Sequence, residues 1–92
     1  MIPVQSVLPE ALAALIRRSP LCPEKVEFAW RTAVGPTLAN ATQVVLQERQ
    51  LVVSARDAAW SREITRALPL IRPRLDSLLG PEVVSDVVVR DR

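Results

Sequence analysis

Residue types that most enzyme sites rely on are nearly missing from this chain. It contains no histidine and one cysteine, Cys22. Without histidine a Ser-His-Asp or Cys-His site cannot be assembled, and an ordinary zinc site lacks its commonest ligand. A single cysteine excludes an internal disulfide. Cys22 lies between Pro20 and Pro23 with no basic neighbour in sequence to favour a thiolate, which points to an incidental rather than a reactive thiol. The 10 acidic residues are scattered from Glu10 to Asp91. They fall on expected polar faces and caps, so they read as solvated charge rather than a paired acid and base. Gly35 and Gly80 are the only glycines, and they build no phosphate-cradling loop. The chain is therefore expected to be no enzyme and to hold no metal, cofactor or small-molecule ligand.

The basic side chains are the one constellation left. There are 12 Lys+Arg against 10 Asp+Glu, a formal net charge of +2. Lys25 is the only lysine. Arginine offers a planar fork for phosphate and stacks on bases, so the bias suits a nucleic-acid partner. A GC-rich genome produces the same bias. Arg49, Arg56, Arg62 and Arg66 fall within eighteen consecutive positions. Arg62 and Arg66 are one helical turn apart and point away from the Trp60–Ile64 stripe. Arg49 and Arg56 flank an expected hairpin. These four are the candidate nucleic-acid contacts. The competing reading is that Glu48, Asp57 and Glu63 neutralise them locally and leave a solvated face.

The elements that must position these residues follow from periodicity. With 49% hydrophobic and 24% charged residues, the composition is that of a globular chain. Pro9 opens a helix over Glu10 to Arg18, with Leu8, Leu12, Leu15 and Ile16 as its apolar stripe. Ser19 to Pro23 stops it. A second helix starts near Glu24 and buries Val26, Trp30, Ala33 and Val34. Gly35-Pro36 breaks it, and one more turn follows from Thr37 to Ala41. Thr42–Glu48 and Gln50–Arg56 are β-branched runs that form a hairpin, with Val44, Leu46, Leu51, Val53 and Ala55 facing inward. Asp57 caps a long helix towards Leu79 with Trp60, Ile64, Leu68, Ile71, Leu75 and Leu78 on its buried stripe. Pro69 and Pro73 should kink or split it after Leu68. Gly80-Pro81 ends it, and Val83 to Arg90 forms a final strand paired inside the sheet. The expected fold is α+β, a small three-stranded sheet with helices packed on one face, in the order α-α-β-β-α-β.

Met1 to Gln5 carries no positive leader region, and no apolar run approaches the ~20 residues that span a bilayer. A cytoplasmic location without membrane contact is expected.

Several segments in this order resemble the DciA family of bacterial replicative-helicase loaders. Trp30-Arg31-Thr32-Ala33-Val34-Gly35 looks like that family's tryptophan-to-Val-Gly opening, and Asn40-Ala41-Thr42 stands where it enters its first strand. Leu46 to Val53 resembles its "leucine, polar turn, Leu-x-Val" hairpin. Ser54 to Ile64, through Ala59-Trp60 and Glu63, resembles its helix start, and Leu78-Leu79-Gly80 with Val83 to Arg90 resembles its ending. The family's turn usually holds a glycine where this chain has Glu48-Arg49-Gln50. At 92 residues the chain is expected to be one domain, with an N-terminal helix and Pro-rich loop over 1–23 and a core over 24–92, the part that the resemblance covers and for which it implies a KH-like fold. The resemblance also implies weak contact with single-stranded or duplex DNA and interaction with the replicative helicase. A KH domain normally grips nucleic acid through a Gly-x-x-Gly loop; with none here, contact falls to another surface. Two other readings stand beside this one. The chain is a protein-interaction domain without nucleic-acid contact, or an RNA-binding KH-like module.

Overall fold

The computed structural model describes residues 10–91. The expectations for Leu8 and Pro9 lie outside that range. Seven elements follow in order: α1 (Glu10–Arg18), α2 (Pro23–Val34), α3 (Pro36–Asn40), β1 (Thr42–Gln47), β2 (Gln50–Ala55), α4 (Ala58–Leu79) and β3 (Asp86–Asp91). Local chemistry sets the boundaries. Pro23 occupies the first turn of α2, where a missing N–H costs nothing. Gly35 takes φ 88° and donates its N–H to Arg31 O, closing α2 before Pro36 opens α3. Asp57 accepts from the Trp60 backbone N–H at 3.1 Å and starts α4. Gly80, at φ 104°, ends α4 with its N–H on Asp76 O.

The sheet order is β1-β2-β3, with β1 antiparallel and β3 parallel to β2. A parallel return needs a long crossover, and α4 is that crossover. Two cross-strand rows, Val44–Val53–Val89 and Leu46–Leu51–Val87, face the helices. The inward set read from the alternation is thus the observed one. Ala13 of α1, Val26, Ala29 and Trp30 of α2, and Ile64, Ile71, Leu75 and Leu78 of α4 complete a single core on that face. The opposite face carries the row Val45–Val52–Val88.

Four expectations need correction. Leu12 and Leu15 are 43% and 60% exposed, and α1 docks instead through Ala13 and Ile16. Small Ala13 lets the helix axes approach closely, which leaves the bulkier leucines outside. Helix α4 is unbroken through Pro69 and Pro73. Both prolines are exposed, so the carbonyls of Thr65 and Pro69 that lose their helical donors lie on the solvent side, where water replaces them. β3 is an edge strand rather than an inner one, and it starts at Asp86. Val83 and Val84 precede it, and Val84 is buried in the core from the turn. The backbone N–H of Ser85 donates to Arg49 O at 2.7 Å, docking this approach on the hairpin tip, so pairing begins only opposite Gln50. Trp60, expected on the buried stripe of α4, is only half-buried and stands outside the core cluster.

The hairpin turn is two residues long, because Gln47 pairs with Gln50. Glu48 has φ 59°, the only positive φ outside glycine among the described residues. A side chain in that region costs about 1–2 kcal/mol, which is why hairpins of this length favour glycine there. Glu48→Gly is expected to stabilise the fold by about 1 kcal/mol, the relief being partly offset by the greater freedom of glycine when unfolded. A rise in the urea midpoint at constant m-value is the expected result.

Candidate nucleic-acid interface

The basic side chains sort into two groups. One group serves the C-termini of the helices, where carbonyls lack helical donors and the dipole is negative. Lys25 is buried and places Nζ 3.0 Å from Arg17 O and 2.6 Å from Ser19 O, at the end of α1. Arg74 Nη1 donates to Ala33 O of α2 at 3.0 Å. Arg56 Nη2 donates to Asn40 O of α3 at 3.2 Å. Arg17 Nη1 donates to Ser77 O of α4 at 2.6 Å. Each of the four helices thus has a cation from elsewhere in the chain at its end. Arg72, which donates to Ser85 O at 3.2 Å, ties α4 to the approach to β3.

The other group faces solvent. Arg62 and Arg66 are exposed on α4, on the side turned away from buried Ile64 and Ile71. Arg66 Nη1 lies 3.9 Å from Glu63 Oε2, with the two side chains 77% and 54% exposed. At that distance and exposure the pair contributes little and yields readily to another anion. Arg62 makes no hydrogen bond or ion pair among the described residues. Arg31 and Arg90 are exposed in the same way.

The four candidate arginines do not form one cluster. Arg49 sits at the hairpin tip, with Nε on Glu82 O at 3.1 Å. Arg56 follows the far end of β2, so the two are separated by the length of that strand, roughly 20 Å. Arg62 and Arg66 adjoin one another, and Arg56 lies two residues before the start of α4. Asp57 holds the helix start through its cap, so the candidate surface is the outer side of α4's first turns with Arg56 at its margin.

Two further groups were missed by sequence reasoning. Trp60 leaves part of its indole to solvent at the start of α4. It stands in the first turn of α4, outside the core cluster that Ile64 joins one turn later. Arg90 lies opposite Ser54 in the parallel register, on the sheet face that no helix covers among the described residues. Its parity with Val88 was a usable signal.

Compared with known families, residues 3–89 match the family model described as "Dna[CI] antecedent, DciA". No curated protein matches the chain.

Proposed function

The chain belongs to the DciA family, whose role lies in replicative-helicase loading, and from that premise we propose that it is a non-enzymatic module that contacts DNA weakly while assisting placement of the helicase. The fold is read as KH-like in arrangement, with one domain over the whole chain and the cytoplasm as its place of action. No helix among the described residues is long and apolar enough to cross a membrane.

The observation that carries the DNA reading is the outer face of α4. Arg62 and Arg66 lie one turn apart, exposed, with a single loose carboxylate between them. Two guanidiniums at that spacing suit adjacent phosphates of a strand. Arg56 extends the surface at its margin, with one Nη bound to a carbonyl and the rest of its fork open; Arg49, at the hairpin tip, is a separate contact with Nε on Glu82 O. A net charge of +2 keeps the affinity modest.

The Arg62→Ala/Arg66→Ala double variant is expected to weaken binding uniformly across sequences. It should also lower the slope of log K against log salt by about 2, near one for each phosphate that is no longer neutralised. Single-stranded DNA, duplex and RNA of equal length, each titrated at two salt concentrations, separate the DNA reading from the RNA one. Equal affinity and slope in wild type and variant would remove this face from the account. Because neither side chain packs in the core, an unchanged thermal midpoint is expected alongside.

A further inference from the structure

The two edges of the sheet are built differently. β3 carries Asp86, Arg90 and Asp91, charges that discourage pairing with another strand. β1, Thr42-Gln-Val-Val-Leu-Gln47, has no charge and no proline, and it pairs in register with β2 along its full length. Among the described residues none of the usual devices blunts it.

The hydrogen-bond parity of that edge is fixed. In a two-residue hairpin the flanking pair, Gln47 and Gln50, is hydrogen-bonded, and bonded pairs alternate from there. Arg56 N–H donating to Ala41 O at 2.9 Å confirms the alternation at the other end of the ladder. Gln43, Val45 and Gln47 therefore direct their backbone groups at β2, whereas Val44 and Leu46 direct theirs outward. Among the described residues no hydrogen bond reaches those outward N–H and C=O groups. Alongside them runs an apolar groove of about 280 Å³. Leu21, Pro23 and Val26 form its far wall, Val44 to Leu46 its near wall, and Glu27 its rim. Leu21 and Val45 are 52% and 55% exposed across it. Unsatisfied strand groups beside an apolar trough, bounded by a helix, are the elements of peptide capture by strand addition.

We propose that the β1 edge and its groove bind an extended segment of a partner protein, apolar at alternate positions and basic at its flanks. The backbone of Val44 and Leu46 pairs with the segment, and one side-chain row fills the trough against Leu21, Pro23 and Val26. Glu27 at the rim favours a basic flank, since Lys25, the cation nearest it in sequence, is committed to the carbonyls of α1; Glu48 at the hairpin end adds to this, its neighbour Arg49 having Nε turned to Glu82 O. A second copy of this chain is the poorer occupant. Its own β1 brings Leu21 to Val26 along the same sheet face, so joining two edges sets wall against wall and Glu27 against Glu27. This site is separate from α4's arginines and does not depend on DNA contact.

The test uses the full chain and a synthetic peptide of about seven residues alternating valine with threonine, with arginine at each end. Saturable binding is expected, with slowed amide exchange at Val44 and Leu46 and none added at Val45. N-methylation of one alternating set of peptide nitrogens should abolish binding, and of the other set should not. Leu21→Asp and Glu27→Lys should each weaken binding about tenfold while leaving the thermal midpoint in place, since both side chains are exposed. Absence of binding, or binding without protection at Val44 and Leu46, would overturn the proposal. So would protection in the free chain that rises with protein concentration, which assigns the edge to a second copy. Protection in the free chain that vanishes when residues 1–9 are removed assigns it to the chain's own N-terminal segment, and overturns the proposal as well.

Discussion

Replacing Trp30 by alanine is expected to cost about 3–5 kcal/mol, a large share of the roughly 5–15 kcal/mol that typically stabilises a domain. Trp30 is 2% exposed and is the largest fully buried side chain. Its indole joins α2 to the sheet, because Nε1 donates to Thr42 Oγ1 at 2.9 Å in a buried setting. Thr42 Oγ1 in turn donates to Leu38 O of α3 at 2.7 Å, so three elements meet at one hydroxyl. Alanine removes the apolar area, leaves a cavity and breaks this chain at its head. Trp30→Phe keeps most of the area and loses the N–H, which leaves the Thr42 acceptor unfilled; about 1–2 kcal/mol is expected for that variant. Trp60→Ala, by contrast, should cost no more than roughly 1 kcal/mol, the usual scale away from buried features. Urea unfolding of the three variants gives the order. Losses of equal size at Trp30 and Trp60 would mean that the two indoles share one core after all.

That contrast shows where sequence periodicity is informative and where it stops. Trp30 and Trp60 sit on equally regular stripes, Val26–Trp30–Ala33 and Trp60–Ile64–Ile71, and nothing in spacing separates them. What separates them is where the helix start falls relative to the sheet, a tertiary fact. The strand faces were legible because a period of two leaves only one register that buries Val44, Leu46, Leu51 and Val53 together. The α1 stripe was misread because leucine is the more apolar side chain, yet small Ala13 decides the docking face. The α4 prolines suggested a break because local rules ignore which side faces water. Membership of the family was legible from ordered short motifs. The roles of the arginines were not. Arg17 and Ser77 are 60 positions apart, and Arg74 and Ala33 are 41 apart, so a helix-end contact looks in sequence like any other surface charge. Of the four arginines proposed for DNA, Arg56 shares this structural duty.

Lys25→Met is expected to cost about 2–3 kcal/mol, although the two side chains are similar in length and apolar reach. Lysine is almost never buried without a partner, and Lys25 is 9% exposed with no carboxylate within ion-pair distance among the described residues. Its partners are the carbonyls of Arg17 and Ser19, at 3.0 and 2.6 Å. A charge-assisted hydrogen bond contributes roughly 1.5–3 kcal/mol, and buried acceptors left bare carry a further penalty. The position adds to this, since the ammonium meets the negative end of α1's dipole from inside the fold. Methionine keeps the stem packed and deletes only the ammonium, so the measured loss isolates the polar contact from area burial. The loss should appear first in α1. Its amides should exchange faster than those of α2 and α4, because the Glu10–Arg18 helix otherwise rests on Ala13, Ile16 and the Arg17–Ser77 contact. Lys25→Arg should recover little, as the wider guanidinium cannot enter a site shaped for two close carbonyls without moving the 19–22 loop. A Met variant within 0.5 kcal/mol of wild type, the scale of an ordinary surface change, would show that water takes over both carbonyls and that α1 is held by its apolar contacts alone.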